Sequence, residues 1–409
     1  MRTALTLIVF GLTYLGLALG RVPRTRLDRA GIVVVGAALM FVTGAVDLDR
    51  AARAVDAPTI FLLFGMMLVI AHLRLAGFFE LVSLWALERA KHPFVLLVAT
   101  VGVSGVLSAL FVNDVVCLVL TPIVVGVLRP LALDPVPYLI ALATASNIGS
   151  AATLTGNPQN MLIGSFSRMP YLDFARHLVP VALAGLVLDV LVIGVVYRRV
   201  LFRRPEAPAP SGTADAIAPR VHPRLLRVAL VVTAGLLLAF LAGASIAVAA
   251  VVAGAVLLVA ARVRPLKIYR QVDWALLVLF AGLFVVLAGL EGSGLVARGF
   301  ELLGPARLEG PWTLSAVALA LSNVVSNVPA VLLFRSVVPT FGDPDAAWRL
   351  LAMASTFAGN LTLIGSVANL IVVEQARAHG APRVTFTEYL RVGVPVTLLT
   401  TAAGVLLLG

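Results

Sequence analysis

The chain of 409 residues is poor in charge: 60% of its residues are hydrophobic, only 12% are charged, and the mean hydropathy is +1.04. Because soluble domains carry roughly a quarter charged residues, a soluble fold is excluded and the chain requires lipid around it. A single cysteine, Cys117, excludes an intramolecular disulfide and a multi-thiolate metal site.

Apolar stretches long enough to cross about 30 Å of hydrocarbon recur along the whole chain. The first resembles a signal peptide. It lacks a small-residue cleavage site before Arg21, and another apolar stretch follows at once, so we interpret it as a retained helix. The clear stretches are 4–20, 30–46, 57–73, 177–197, 225–243, 245–261, 273–290 and 392–408.

The long segment 203–223 is rich in Pro, Ala and polar residues, which predicts a cytoplasmic linker between a first transmembrane repeat, 1–202, and a second, 224–409. With the N-terminus placed outside, 22 of the 31 Lys and Arg residues lie in inner loops, as the positive-inside rule requires. The formal charge of +11 therefore indicates topology rather than a nucleic-acid partner. We expect a multi-pass protein of the inner (plasma) membrane with both termini outside.

The two halves resemble each other at three places in the same order, which indicates an internal duplication. The repeated segments are separated by shifts of 209, 213 and 216 residues. They are 153–156 and 362–365, 112–115 and 325–328, and 64–66 and 280–282.

Each half contains three spans, a short amphipathic segment, a hairpin with a polar tip, a broken span and a final span. A hairpin that enters and leaves on one side does not cross, so each half crosses five times and the second half is inverted. We therefore predict an all-α integral membrane fold of two inverted-topology repeats, each with five transmembrane helices plus a re-entrant hairpin and a broken helix. The amphipathic segments are 77–91 and 294–306, the hairpins 93–128 and 312–340, and the broken spans 137–164 and 350–374.

Polar residues, Gly and Pro interrupt the two broken spans, and such a break is tolerated in hydrocarbon only where it lines a cavity or is covered by protein. Half-helices that end there direct N-terminal amides at an anion, while free carbonyls and side-chain oxygens suit sodium. The alternative is close helix packing by small residues. The predicted substrate- and ion-binding residues are Asn113, Asp114, Ser326 and Asn327 at the hairpin tips, Ser146, Asn147, Thr153, Thr155, Gly156, Asn157 and Asn160 in the first break, and Ser355, Thr356, Asn360, Thr362, Gly365, Ser366 and Asn369 in the second.

Asp114 is the only charged residue between Pro93 and Leu128, and its counterpart in the second half is the neutral Asn327. A carboxylate at this depth is costly unless it has a function or a partner. We interpret Asp114 as a proton carrier or a cation ligand, with a helix cap as the alternative. Asp189, inside the final span of the first half, is either a paired acid or a second relay residue.

The segments SNIGSAATLTGNPQNMLIG, FAGNLTLIGSVANLI and FVNDVVCLVLTPIV resemble signatures of the ion transporter superfamily, and within it the arsenite-permease and citrate-transporter-like (anion permease) group. The resemblance covers essentially the whole chain. It implies scaffold and transport parts, a homodimer and elevator-like movement of the hairpins and broken helices. The tips read Val-Asn-Asp and Val-Ser-Asn, whereas sodium–dicarboxylate relatives carry Ser-Asn-Thr in both hairpins, which favours the arsenite-permease, anion-permease or sodium–proton antiporter branches.

These features predict a secondary active transporter of a small anion or oxyanion, coupled to protons or sodium, with arsenite efflux as one candidate. A sodium–proton antiporter and a channel are the alternatives within transport. An intramembrane enzyme would need a nucleophile–base pair or a metal set at membrane depth, and none of the five histidines lies in a broken span. We expect no cofactor and no metal beyond the coupling ion, with membrane lipid, the transported anion and a second copy as partners.

Overall fold

The computed structural model describes residues 2–19, 25–87, 89–90, 92–202, 221–292 and 308–409. Within these ranges the regular structure is entirely helical. The predicted amphipathic segment 294–306 and nearly all of the linker 203–223 lie outside the described residues.

In the first half, several helices begin at side chains that cap the free amides of the first turn. Asp28, Asp47 and Asp56 each accept a hydrogen bond from a backbone N–H three residues later. The helices are α1 (Arg2–Leu19), α2 (Arg29–Val42), α3 (Leu48–Ala54), α4 (Ala57–Ala76), α5 (Phe78–Leu87), α6 (Pro93–Leu110), α7 (Asn113–Leu128), α8 (Val136–Ser150), α9 (Pro158–Ser167), α10 (Tyr171–Val196) and α11 (Arg198–Leu201).

The second half uses the same signals, with Asp273 and Asp343 as caps and Pro in the first turn of several helices. Its helices are α12 (Pro223–Leu241), α13 (Ile246–Ala260), α14 (Pro265–Tyr269), α15 (Trp274–Glu291), α16 (Pro311–Val325), α17 (Asn327–Phe334), α18 (Pro344–Phe357), α19 (Val367–Ala378) and α20 (Phe386–Leu408). Two 3₁₀ turns lie at Val338–Thr340 and Ala358–Asn360.

Six helices of the described chain are long and apolar enough to cross a membrane: α4, α6, α10, α12, α15 and α20. Five of the eight apolar stretches predicted from the sequence lie in these helices. The other three, 4–20, 30–46 and 245–261, correspond to the shorter apolar helices α1, α2 and α13. The fold is that of an all-α, multi-pass membrane protein.

Glycines bring two pairs of helices from opposite halves into close contact. In α15, Gly282 lies against Val33 of α2, and seven residues later Gly289 lies against Met40. In the same way, Gly65 of α4 lies against the backbone of Ala250 in α13, and Gly254 lies against Leu68. In each pair the residue numbers of the contacting positions rise together along the two helices, so α2 is parallel to α15 and α4 is parallel to α13.

Helix α1 packs on α2, and α12 packs on α4 and α13. We call the two pairs together with these two helices the frame helices: α1, α2, α4, α12, α13 and α15. The site helices, α6 to α10 and α16 to α20, pack mainly against one another, with α8 between α6, α7, α10 and α19. Every residue of α8 is buried, including its polar ones. This burial places the predicted broken spans at the centre of the site helices.

Candidate functional site

The two breaks predicted from the sequence are interruptions between consecutive helices. The first separates α8 from α9, which begins where Asn157 Oδ1 accepts a hydrogen bond of 2.8 Å from the backbone N–H of Asn160. The second separates α18 from α19, where Ser366 Oγ accepts a hydrogen bond of 3.2 Å from the N–H of Ala368. Both α9 and α19 thus start inside the group of site helices.

An asparagine closes each break with the same two hydrogen bonds. Asn160 Nδ2 donates to the carbonyls of Ser150 at 3.2 Å and Thr153 at 3.0 Å. Asn369 Nδ2 donates to the carbonyls of Gly359 at 2.7 Å and Thr362 at 3.1 Å. The asparagine and its two carbonyl partners in the second break each lie 209 residues after their counterparts in the first, the shift already seen in the sequence. Each asparagine thus bridges two carbonyls across its break, and the carbonyls of Thr153 and Thr362 also accept a hydrogen bond from the N–H of Gly156 and Gly365, respectively.

The glycine of each Thr-Leu-x-Gly segment is required by close approach of the chain to itself. A Cβ at Gly156 would collide with the backbone of Ser150, and one at Gly365 would press on the carbonyl of Gly359. The residues Gly156, Thr153, Gly365 and Thr362 therefore shape the breaks through their backbone.

Asn147 joins the two halves at the centre of the site. Its Oδ1 accepts hydrogen bonds from Asn113 Nδ2 at 3.0 Å and Ser366 Oγ at 3.1 Å. Its Nδ2 donates to Asn360 Oδ1 at 2.8 Å and Asn369 Oδ1 at 3.0 Å. These four bonds use the full hydrogen-bonding capacity of a primary amide, so Asn147 fixes a tip and both breaks relative to one another.

A second contact between the halves forms around Thr356. Its Oγ1 accepts from Asn157 Nδ2 and from Gln159 Nε2, each at 3.3 Å, and Asn157 Nδ2 also lies 2.9 Å from Ser150 Oγ. Gln159 was not among the predicted site residues, although it lies inside the segment TGNPQN.

The predicted hairpin tips are the short connections between α6 and α7 and between α16 and α17. In the first, the backbone N–H of Asn113 donates to the carbonyl of Gly156 at 3.0 Å. In the second, Ser326 has φ +79° and ψ 157°, a conformation that is strained for any residue with a side chain. Asn327 Oδ1 is buried and has no hydrogen-bond partner in the ranges that the structure describes. Both observations mark the second tip as a functional candidate.

A small cavity of about 80 Å³ lies where the tips and breaks meet. Four helices, α7, α9, α17 and α19, direct their N-termini towards it, and each contributes partial positive charge. Its polar lining consists of Arg29, Asn113, Asp114, Gln159, Ser326, Asn327 and Ser366, and frame residues Leu17, Leu276 and Leu279 close one side.

Arg29 is a second residue of the polar cavity lining, besides Gln159, that the sequence did not predict. It is the first residue of α2, and its charge attracts that of Asp114 across the cavity. The negative charge of Asp273, which caps frame helix α15, repels that of Asp114. The positive-inside rule also places arginines at the inner ends of apolar helices, so the sequence alone gives no signal that assigns Arg29 to the site.

Other predicted residues lie in the same region but make packing contacts. Ser146 Oγ lies 3.0 Å from Cys117 Sγ, and Thr155 Oγ1 lies 3.2 Å from Tyr171 Oη. Ser355 bonds within its own helix. Asp189 lies outside the cavity lining and is fully buried. In the part of the chain that the structure describes, no cluster of three or more His, Cys, Asp or Glu residues is placed to hold a metal ion.

Comparison with known proteins identifies full-length relatives. The silicon efflux transporter LSI3 of Oryza sativa subsp. japonica is 31% identical over 98% of this chain and 96% of its own. A putative transporter, arsB, of Dictyostelium discoideum is 25% identical over 93% of this chain and 87% of its own. MtrF of Neisseria gonorrhoeae, described with a class of antimetabolite efflux pumps, shares the fold, with a TM-score of 0.58 at 12% identity over 100% of this chain and 94% of its own.

The citrate transporter family matches residues 7–358, which confirms the resemblance to the arsenite-permease and citrate-transporter-like group. The names of the family and of its relatives describe transporters, so the expectation that the chain is not an enzyme is confirmed as well. The chain is a multi-pass membrane transporter and belongs to the citrate transporter family.

Proposed function

We propose that the chain is a secondary active transporter that moves a small anion or oxyanion through the cavity between the tips and the breaks. The observation that carries this proposal is the meeting of four helix N-termini and Arg29 around one small space. Helix N-termini stabilise negative charge through their free amides and dipoles. The site thus attracts an anion with only one cationic side chain.

The size of the cavity favours a small solute. Liquid water occupies about 30 Å³ per molecule, so a space of about 80 Å³ holds a group of only a few heavy atoms in this conformation. The rice relative is named a silicon efflux transporter and the Dictyostelium relative carries the name arsB. Arsenite and silicic acid, both small weak oxyacids, are therefore the candidate substrates, and efflux is the proposed direction.

We further propose inverted halves and an elevator-type movement. Parallel packing of α2 with α15 and of α4 with α13 is the arrangement that two oppositely oriented halves require, whereas halves of equal orientation would make these pairs antiparallel. The frame helices would act as the scaffold and the site helices as the moving part. Asp56 Oδ2, which accepts a 2.6 Å hydrogen bond from Ser165 Oγ of α9, is one contact between them.

Asp114 is proposed as a proton carrier or a cation ligand of the cycle, because it shares the cavity with Arg29 and the oxygens of Ser326 and Asn327. The homodimer, the inner-membrane location and the outside position of both termini stay predictions.

Everted membrane vesicles, acidified inside by respiration and followed with a pH-sensitive dye, test the proposal. Sodium, arsenite, silicic acid and citrate are added in turn. We expect one oxyacid to collapse the pH gradient in wild-type vesicles and to leave it unchanged with Asp114→Asn. A response to sodium in the absence of any anion would instead assign sodium–proton antiport, and a response that Asp114→Asn leaves intact would remove Asp114 from the coupling.

A further inference from the structure

Asp189 is a carboxyl group buried among apolar helices. It lies in α10, about 10 Å from the end of the helix at Val196 by the rise of 1.5 Å per residue, and its exposed fraction is 0%. A charged side chain at such a depth is rare and is associated with ion or proton pathways. The transport site described above does not include it.

The hydrogen bonding of Asp189 is incomplete. Its Oδ2 lies 3.0 Å from Thr144 Oγ1, whose single proton also has the carbonyls of Ile140 at 2.9 Å and Ala141 at 3.3 Å within reach, and its Oδ1 has no partner among the described residues. Across the described part of the chain, none of the ion pairs involves Asp189. A single neutral hydrogen bond does not compensate a full charge in apolar surroundings, whereas a neutral carboxyl group is tolerated there.

Among the described residues, the titratable group near Asp189 is Tyr389 of α20, whose charge would interact with that of Asp189 and whose buried hydroxyl has no hydrogen-bond partner there. The charge of the Cys117 thiolate of α7 would also interact with that of Tyr389. The helices α6 and α8, which also pack on α10, contain no acidic or basic residue. The other charged groups on helices that contact α10 are Arg349 of α18, which pairs with Asp173, and Arg198, Arg199, Arg224, Arg227, Asp345, Glu388 and Arg391 at helix ends.

Thr144 connects Asp189 to the transport site. Its hydroxyl oxygen lies within hydrogen-bonding distance of Asp189 Oδ2, and its backbone carbonyl accepts a bond of 3.3 Å from Asn360 Nδ2. Asn360 Oδ1 in turn accepts from Asn147, the residue that joins the tip and both breaks. A change in the protonation of Asp189 can therefore alter the transport site through Thr144 and Asn360.

The two acids of this region differ in their surroundings. Asp114 lines the cavity and is attracted by Arg29, so its negative charge has a compensating cation. Asp189 has none, which makes it the acid better suited to alternate between a charged and a protonated form.

We propose that Asp189 binds and releases the coupling proton, and that Thr144 and Asn360 transmit its protonation state to the asparagines of the transport site. The carboxylate takes up one proton from water on one side of the membrane and returns it to water on the other, with no other bond made or broken. This inference rests on the proposed transport function: it makes the proton the coupling ion and assigns it to Asp189 in place of Asp114, whose charge then serves to attract that of Arg29 in the cavity.

Infrared difference spectra of the purified protein, recorded over a pH series, test the proton site without any substrate. We expect wild type and Asp114→Asn to show a protonated-carboxyl C=O band that decreases as pH rises, and Asp189→Asn to lack it. Thr144→Val should shift the frequency of this band, since it removes the hydrogen bond to Oδ2. The band remaining in Asp189→Asn would overturn the assignment. If Asp189→Asn does not fold, the shift in Thr144→Val decides the question, and an unshifted band contradicts the proposal.

Flux of arsenite or silicic acid in proteoliposomes tests the coupling. We expect an imposed pH gradient to accelerate flux in wild type, and flux with and without the gradient to be equal in Asp189→Asn. A wild-type response to the gradient that persists in Asp189→Asn would overturn the inference. Absence of flux in wild type would contradict the proposed function, while the infrared experiment would still decide whether Asp189 holds the proton.

Discussion

At the scale of single residues, the centre of the site is a set of amides with defined donors and acceptors. Asn147 donates to two carbonyl oxygens and accepts from two donors. Because both N–H groups and both lone pairs of the side-chain amide are used, this position requires an amide and not merely a polar side chain.

Asn147→Asp tests this requirement with almost no change in shape. An aspartate can no longer donate to Asn360 and Asn369, and its charge would lie against their oxygens. Each unsatisfied buried group costs about 1–3 kcal/mol, so we expect loss of transport and a clear decrease in melting temperature, measured by thermal unfolding in detergent. Gln271→Glu makes the same amide-to-acid change on an exposed residue and should change neither. Wild-type behaviour of Asn147→Asp would show that the hydrogen-bond network is not required.

The pair Arg29 and Asp114 is suited to a double-mutant cycle. Arg29→Gln and Asp114→Asn each remove one charge, and both residues line the same cavity. If the two charges act together, the effects of the single changes on the apparent substrate affinity should differ from additivity by about 0.5–3 kcal/mol in the double variant. Strictly additive effects would mean that the attraction across the cavity has no part in transport.

The amide positions were predictable and Arg29 was not, for physical reasons. Asn, Gly and Pro inside an apolar span have few explanations other than a break, so Asn147, Asn160 and Asn369 could be identified from the sequence. An arginine at the start of an apolar helix is also what the positive-inside rule requires. Only its position at the cavity that Asp114 also lines distinguishes Arg29 from other arginines at the start of apolar helices.

At the scale of helices, boundaries were predicted well where capping residues and proline mark them. The limits 93–128 for the first hairpin agree with α6 and α7, and 137–164 agrees with α8 and α9. The parallel contacts between frame helices could not be predicted, because glycines in α4 and α15 show only that something approaches closely and not which helix does.

The α4–α13 contact leads to a prediction about stability. A methyl group at Gly65 would collide with the backbone of Ala250, and overpacking of this kind costs about 1–3 kcal/mol. We expect Gly65→Ala to lower the melting temperature in detergent. Gly235→Ala in α12 is the matched control, because no atom of a described neighbouring residue lies within 4 Å of a Cβ added there. It should be neutral or slightly stabilising because alanine favours helix. Equal effects of the two variants would contradict the close contact.

At the scale of the whole molecule, the proposed elevator requires the site helices to move past the frame helices. In this conformation Ser165 of α9 is bonded to Asp56 at the start of α4. The chain has one cysteine, Cys117, so a Cys117→Ser background permits selective cross-linking at chosen positions.

Cross-linking of Asp56→Cys with Ser165→Cys tests the movement. Oxidation or a short thiol cross-linker should stop solute flux in proteoliposomes, and reduction should restore it. Each single-cysteine variant, treated in the same way, is the control. Full flux through the cross-linked protein would exclude movement between these two groups of helices.

The most direct test of the central claim is binding of a small oxyanion to the cavity between tips and breaks. Isothermal titration of the purified protein with arsenite, silicic acid and citrate measures it without a membrane gradient. The account predicts that one small oxyacid binds wild type and Gly235→Ala saturably, and that Asn147→Asp and Arg29→Gln weaken this binding at least about tenfold, or about 1.4 kcal/mol. Unchanged affinity in both the Arg29→Gln and the Asn147→Asp variants would contradict the account, because the solute would then bind elsewhere.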